Sequence, residues 1–243
     1  MDQLLMLDPN DFVGVSFWII SAAMLASTYF FYVERDRATG KWKTSLTVAA
    51  MVTGIAALHY FYMRGVWVST GESPTVFRYV DWLLTVPLQI IEFYLILAAV
   101  AVIGASLFWR LLVASVVMLV AGYLGEVNDS SATVLWGGFV IGTVAWLYII
   151  YEIFIGEASK INISEGTDAS KKAFNGLRII VTFGWAIYPL GYLWGYAGDG
   201  SAATLNLVYN LADFVNKIAF GVVIWSAATA SSEISNPTQQ PAN

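Results

Sequence analysis

The 243-residue chain has no cysteine, a single histidine and six prolines, and only 12% of its residues are charged. The missing cysteine excludes disulfides, thiolate metal sites and cysteine nucleophiles. No metal centre is expected. A soluble domain carries about 25% charged residues, and half that share cannot cover a water-facing surface. A net charge of -5 shows no basic excess, so nucleic acid is not expected as a partner. Disorder is excluded because 15% of the residues are aromatic. What the chain does have is apolar sequence, with 58% hydrophobic residues and a mean hydropathy of +0.67. An integral membrane protein is the class that remains, and the informative question is where its few charges sit.

A membrane-spanning helix needs about 20 predominantly apolar residues. Phe12 to Val33, Ser130 to Tyr151 and Ile179 to Gly198 are free of charge, and Thr44 to Met63 is too, apart from His59. The long stretch from Thr75 to Gly125 breaks near Gly104-Ala105-Ser106 and reads as two spans, Thr75 to Val102 and Leu107 to Gly125. A last span runs from Ala202 to Ala230. A barrel would need alternating segments of about 10 residues, and these runs are longer and continuous. The expected fold is therefore an all-α membrane protein, a seven-helix bundle over residues 12–230. It is preceded by an external segment, 1–11, and followed by a disordered tail, 231–243. No cleavable signal is expected, because Met1 to Asp11 is short and acidic rather than basic.

Loop charges orient the bundle. One side collects Arg35, Arg37, Lys41 and Lys43 in the first loop, Arg110 in the third, and Lys160, Lys171 and Lys172 in the fifth; the other side has Arg64 in the second loop. The positive-inside rule then puts the amino terminus outside and the carboxyl terminus in the cytoplasm of a multi-pass protein of the inner, plasma membrane. Arg178 and Glu152 lie near cytoplasmic helix ends and are expected to reach the headgroups.

Five ionisable residues stay inside the spans: Arg78, Asp81 and Glu92 in the third, Asp213 and Lys217 in the seventh. A charge at bilayer depth costs about 2.5–3.5 kcal/mol even on the lenient insertion scale, so such residues are normally paired and functional. At 100° per residue, Asp81 and Glu92 point within about 20° of one direction and lie roughly 16 Å apart along the axis. Two carboxyl groups thus share one face at two depths, with Thr85 one turn below Asp81 and Arg78 about one turn above. Asp213 and Lys217 are one helical turn apart on one face. A lysine buried near mid-span readily forms a Schiff base, and Asp81 and Asp213 are placed to be its counterions, with Arg78 offsetting their joint charge. A purely structural Lys–Asp pair is the plain alternative, but it has no use for Glu92. His59, at a depth similar to Asp81, is open to both a structural hydrogen bond and a role in tuning Asp81.

Three segments then carry a family resemblance. Arg78-Tyr79-Val80-Asp81-Trp82-Leu83-Leu84-Thr85-Val86-Pro87-Leu88 resembles the third-helix signature of microbial rhodopsins. Trp185-Ala186-Ile187-Tyr188-Pro189 resembles their sixth-helix aromatic segment, and Asp213-Phe214-Val215-Asn216-Lys217 their seventh-helix signature. The resemblance covers all seven spans, and Glu92, His59 and Gly122-Tyr123-Leu124-Gly125-Glu126 place it nearest the proteorhodopsin branch. It implies retinal held by Lys217, a light-driven outward proton pump with Asp81 as acceptor and Glu92 as donor, and a transporter rather than an enzyme. It also implies a retinal cage of Trp82, Thr85, Gln89, Met118, Gly122, Trp185, Tyr188, Pro189 and Tyr192. Gln89 implies blue rather than green absorption. His59 matches the family histidine that hydrogen-bonds the acceptor, and with Trp18 it implies a protomer contact in a pentameric or hexameric ring. Glu126 reads as a plain surface acid, with interface or proton-exit polarity as the other options. The alternative function is a slow photosensor signalling to a partner, which Glu92 disfavours.

Overall fold

The computed structural model describes residues 6–198 and 200–235. Among the described residues, seven segments are long and apolar enough to cross a membrane. They comprise α1 (Phe12–Glu34), α2 (Trp42–Thr70), α3 (Thr75–Ala98), α4 (Ala105–Glu126), α5 (Ala132–Phe154) continued by the short α6 (Glu157–Glu165), α7 (Asp168–Ile179) continued by α8 (Ile187–Ala197), and α9 (Ala202–Ser235). Helices satisfy every backbone group within one segment, which hydrocarbon demands. Sequence neighbours pack side by side from α1 to α5, and α9 closes the bundle against α1, α2, α7 and α8.

Local chemistry sets the ends. The Asp11 carboxylate caps α1 by accepting from Gly14 N at 2.9 Å, and Trp67 Nε1 of α2 donates to the same carboxylate at 3.0 and 3.1 Å. Gly71 ends α2 in the left-handed region (φ 70°) and its N–H returns to Trp67 O. Between α4 and α5 the backbones nearly touch. A Cβ on Gly138 would lie 2.9 Å from Gly125 Cα, and one on Gly142 would lie 3.1 Å from the Met118 carbonyl. Small residues of this kind let membrane helices approach closely.

Several sequence expectations are corrected. Arg64 is not a loop residue, because α2 runs on to Thr70. It is buried, with its guanidinium 5.1 Å from the Trp18 ring and 5.0 Å from the Phe61 ring. Arg110 lies inside α4 and binds Glu152 at 3.3 Å and Glu157 at 2.5 Å. Glu152 therefore does not reach for the headgroups; it is 3% exposed and also accepts from Ala158 N at the start of α6. Lys160, Lys171 and Lys172 sit in α6 and α7, where a polar loop was expected. Arg178 lies in the last turn of α7, its guanidinium 4.7 Å from the Phe154 ring. The expected boundary at 230 is exceeded, since α9 continues to Ser235; the rest of the expected tail, 236–243, lies outside the described residues.

Between α7 and α8 lies a π-helical turn, Ile180–Gly184, closed by Trp185 N donating to Ile180 O at 3.1 Å. Asn216 of α9 braces it, its Nδ2 donating to Gly184 O at 3.0 Å.

Candidate functional site

The site forms where α3, α4, α5, α8 and α9 surround a cavity of about 110 Å³. Lys217 of α9 is on its wall, and the lining is otherwise mostly aromatic and aliphatic. Trp82, Gln89, Met118, Gly122, Trp185, Tyr188, Pro189 and Tyr192 also lie on the wall, brought together from α3, α4 and the sixth span. Thr85 does not. It is fully buried beside the cavity, and its hydroxyl donates to the Asp81 backbone carbonyl at 2.9 Å.

Lys217 Nζ donates to Asp81 Oδ2 and, at 3.0 Å, to Asp213 Oδ2. All three side chains are buried. The two carboxylates are held very differently. Asp213 accepts from Tyr60 Oη at 2.8 Å, Tyr188 Oη at 2.5 Å and Trp82 Nε1 at 3.2 Å, in addition to the lysine. Asp81 Oδ1 has no hydrogen-bond partner, and His59 Nδ1 lies 3.5 Å from it. The same His59 nitrogen lies 3.0 Å from the Ile55 carbonyl, so it has a partner on its own helix while standing beside Asp81. Helical spacing produces this: Tyr60 and His59 come from α2, the aspartates from α3 and α9.

Arg78 sits one turn along α3 from Asp81 and is 2% exposed. It donates to Asn206 Oδ1 at 2.8 Å, Asn210 Oδ1 at 3.0 Å and Tyr60 Oη at 3.3 Å. Ser16 accepts from Asn210, and Ser73 donates to Asn206. Two cations, Lys217 and Arg78, thus balance two carboxylates, Asp81 and Asp213, within one buried network. The asparagines and Tyr60 were missed in the sequence, where uncharged polar residues inside an apolar run give no signal comparable to a charge.

Glu92 stands apart from this network. It is fully buried, and neither carboxylate oxygen has a hydrogen-bond partner. Ser45 of α2 is the polar side chain facing it. Beyond it toward the α6 end, Phe93 packs edge-to-face on Phe174 with ring centroids 5.1 Å apart, and Ile96, Leu97, Leu107 and Leu111 complete an apolar plug. Glu126, at the end of α4, is no plain surface acid. It lines the cavity and accepts from Tyr79 Oη at 2.9 Å. Other wall residues not foreseen include Tyr79, Val86, Leu119, Phe139, Trp146 and Tyr209. They are ordinary aromatic and aliphatic residues, which spacing alone does not separate from packing.

An apolar, aromatic slot with one amine on its wall fits a long conjugated aldehyde. One polar atom in the slot is unclaimed: Gln89 Nε2 has no hydrogen-bond partner. Among the described residues, no His/Asp/Glu group could hold a metal.

Residues 11–231 match the family model described as bacteriorhodopsin-like protein. The chain is 60% identical over 228 residues to a green-light absorbing proteorhodopsin of Gamma-proteobacterium EBAC31A08, covering 93% of this chain and 90% of that one. It is similar to the crystal structure of a blue light-absorbing proteorhodopsin from Med12, with 57% identity and a TM-score of 0.78 over 90% of this chain and 99% of that one. Xanthorhodopsin, a light-driven ion pump with dual chromophore, superposes with a TM-score of 0.82 at 27% identity, over 95% and 98% of the two chains. Green- and blue-absorbing relatives are almost equally similar, so overall identity does not decide colour.

Proposed function

The chain belongs to the bacteriorhodopsin-like family, and from that premise we propose that it pumps protons outward with Lys217 holding retinal, Asp81 taking up the proton and Glu92 resupplying it. It is a light-driven transporter of the plasma membrane, not an enzyme. The observation that carries the residue assignment is the unequal treatment of the carboxylates around Lys217. Asp213, tied by three donors besides the lysine, is a fixed counter-charge. Asp81, with one partner, can be neutralised at small cost in hydrogen bonds.

Retinal bound to Lys217 would supply light absorption and a change of shape that re-aims the bound nitrogen. The protein residues do the rest. Trp82, Trp185 and Tyr188 flank the slot and hold its contents flat. Asp81 Oδ2, in contact with Lys217 Nζ, receives a proton. Arg78, Asn206 and Asn210 form the polar run beyond Asp81 through which charge relaxes outward. Glu92 holds a proton in an apolar pocket, and the Phe93–Phe174 plug separates it from the α6 end of the bundle. The roughly 16 Å of helix between Asp81 and Glu92 contains Thr85, whose hydroxyl is committed to the backbone. That gap keeps the two carboxyl groups from exchanging protons directly. A sensor has no need of a proton-resupplying carboxylate, and none of the site's residues favours that reading.

Outward direction rests on the orientation from basic residues: Arg35, Arg37, Lys41, Lys43, Arg110, Lys160, Lys171 and Lys172 gather at one end of the bundle. Gln89, on the cavity wall, supports blue absorption. Trp18 and His59 both reach the outer face of α1 and α2, with 45% of Trp18 and 22% of the His59 side chain exposed. This supports a ring of protomers, pentameric or hexameric, meeting there. The pump occupies the seven-helix bundle from Phe12 to Ser235.

Illumination of expressing cells supplied with retinal tests the function. External pH should fall, the fall should vanish with a protonophore, and Asp81→Asn should abolish it. Acidification that survives in Asp81→Asn would overturn the assignment.

A further inference from the structure

An ionisable side chain on the wall of an apolar cavity requires a reason, and Glu126 is one that the pumping residues leave unused. It lies at the far end of α4 from Met118. Met118, Leu119, Gly122 and Glu126 line the cavity along one face of that helix, a rise of about 12 Å. Tyr79 Oη donates to Glu126 Oε1 at 2.9 Å. Gly122 makes room for the Tyr79 hydroxyl, because a Cβ there would stand 2.9 Å from it. A carboxylate has roughly four acceptor positions, so most remain for whatever fills this end of the slot. The tyrosine hydroxyl beside it can also accept a hydrogen bond. An all-hydrocarbon ring placed here would face a carboxylate that it can neither bond nor solvate, which is costly.

We infer that this end of the cavity, lined by Glu126 and Tyr79, recognises a hydroxyl group on the ring of the bound retinal, so that a ring-hydroxylated retinal is preferred over retinal itself. The inference rests on the reading of Lys217 as the retinal lysine. The hydroxyl would donate to Glu126 and accept from Tyr79, joining the existing Tyr79–Glu126 bond rather than breaking the pair. The aldehyde end is the same in both molecules, so attachment at Lys217 does not distinguish them. The preference resides at Glu126 of α4 and at Tyr79, which lies two positions from Asp81 on α3 but bonds to Glu126 rather than to the lysine network. Water filling the same spot is the competing occupant, and it predicts no preference.

The test is competitive pigment formation. The full-length protein, expressed without chromophore, is offered equal amounts of retinal and 3-hydroxyretinal, and the bound fraction is extracted and separated. A charge-assisted hydrogen bond of ordinary strength predicts about tenfold enrichment of the hydroxylated form, equivalent to about 1.4 kcal/mol. Glu126→Leu and Glu126→Gln should each still form pigment with retinal, and the enrichment should fall to near one in the leucine variant. Equal uptake by the unsubstituted protein, or enrichment that persists in Glu126→Leu, would overturn the inference while leaving Lys217 as the attachment point. No pigment with either aldehyde would instead overturn the reading on which it rests. If Glu126→Leu does not fold, Tyr79→Phe provides the second arm: it removes the hydroxyl's donor, keeps the carboxylate, and should reduce the enrichment several-fold.

Discussion

The sharpest consequence of the site geometry is that the two aspartates facing Lys217 differ greatly in what their removal costs. In Asp213→Asn the amide must replace a carboxylate whose Oδ2 accepts from Tyr60, Trp82 and Lys217 and whose Oδ1 accepts from Tyr188 and Trp82. Whichever way the amide turns, its NH2 points at a donor. Either the Tyr188 hydroxyl loses its acceptor or Tyr60 and Lys217 both do. Removing one partner of a buried charged network costs about 3–5 kcal/mol. Asp81→Asn keeps an amide oxygen that can accept from Lys217 and gives up the charge, and its NH2 can take the position that already lacks a partner. That weakens a single charge-assisted bond, worth about 1.5–3 kcal/mol. Thermal loss of the visible absorption band in detergent measures the difference. At about 2–4 °C per kcal/mol for a chain of this size, Asp213→Asn should lower the midpoint by about 6–20 °C, and Asp81→Asn by clearly less. Pigment yield should follow the same order. An Asp81→Asn midpoint as low as that of Asp213→Asn, or lower, would refute the reasoning, because it would mean that the hydrogen-bond inventory does not control pigment stability.

The remaining expectations concern single sites. Glu92→Gln should leave the first proton transfer intact and slow the recovery of the resting pigment about 100-fold or more, in the range of a lost general-acid group; flash spectroscopy with unchanged recovery would remove Glu92 from the path. Gln89→Leu should move the absorption band to longer wavelength, because an unpaired amide dipole leaves the cavity wall; the unsubstituted pigment should absorb in the blue, and a green maximum would contradict the assignment. Gly138→Ala should destabilise the α4–α5 contact by about 1–3 kcal/mol through overpacking, whereas Gly137→Ala, with nothing within 4 Å of an added Cβ, should be silent. Equal thermal midpoints for those two variants would show that the close approach is not rigid.

Much of the site was legible because charge in an apolar run is conspicuous. Arg78, Asp81, Glu92, Asp213 and Lys217 were singled out by cost alone, and helical spacing then put them on shared faces. The same logic misplaced Arg64 and Arg110. A charge was taken to mark the end of a span, but α2 extends past Arg64 under cover of the Trp18 and Phe61 rings, and Arg110 enters α4 neutralised by Glu152 and Glu157. The polar fifth loop hid α6 and the first half of the sixth span, since Lys160, Lys171 and Lys172 face water from helices as readily as from a loop. Tyr60, Asn206 and Asn210 hold Asp213 and Arg78, yet nothing in their local sequence separates them from packing residues; only the partner across the bundle reveals their role.

The π-helical turn at Ile180–Gly184 works as a phase shifter. One extra residue in that turn rotates everything after it by about 100° relative to an uninterrupted α-helix. Trp185, Tyr188, Pro189 and Tyr192, after the turn, line the cavity, while Phe174 and Leu177 before it belong to the apolar plug near Glu92. One continuous rod can thus serve two chambers on different azimuths, and its two halves need not turn together. Asn216, clamped on the Gly184 carbonyl one residue from Lys217, ties the phase of the aromatic wall directly to the helix that bears the lysine.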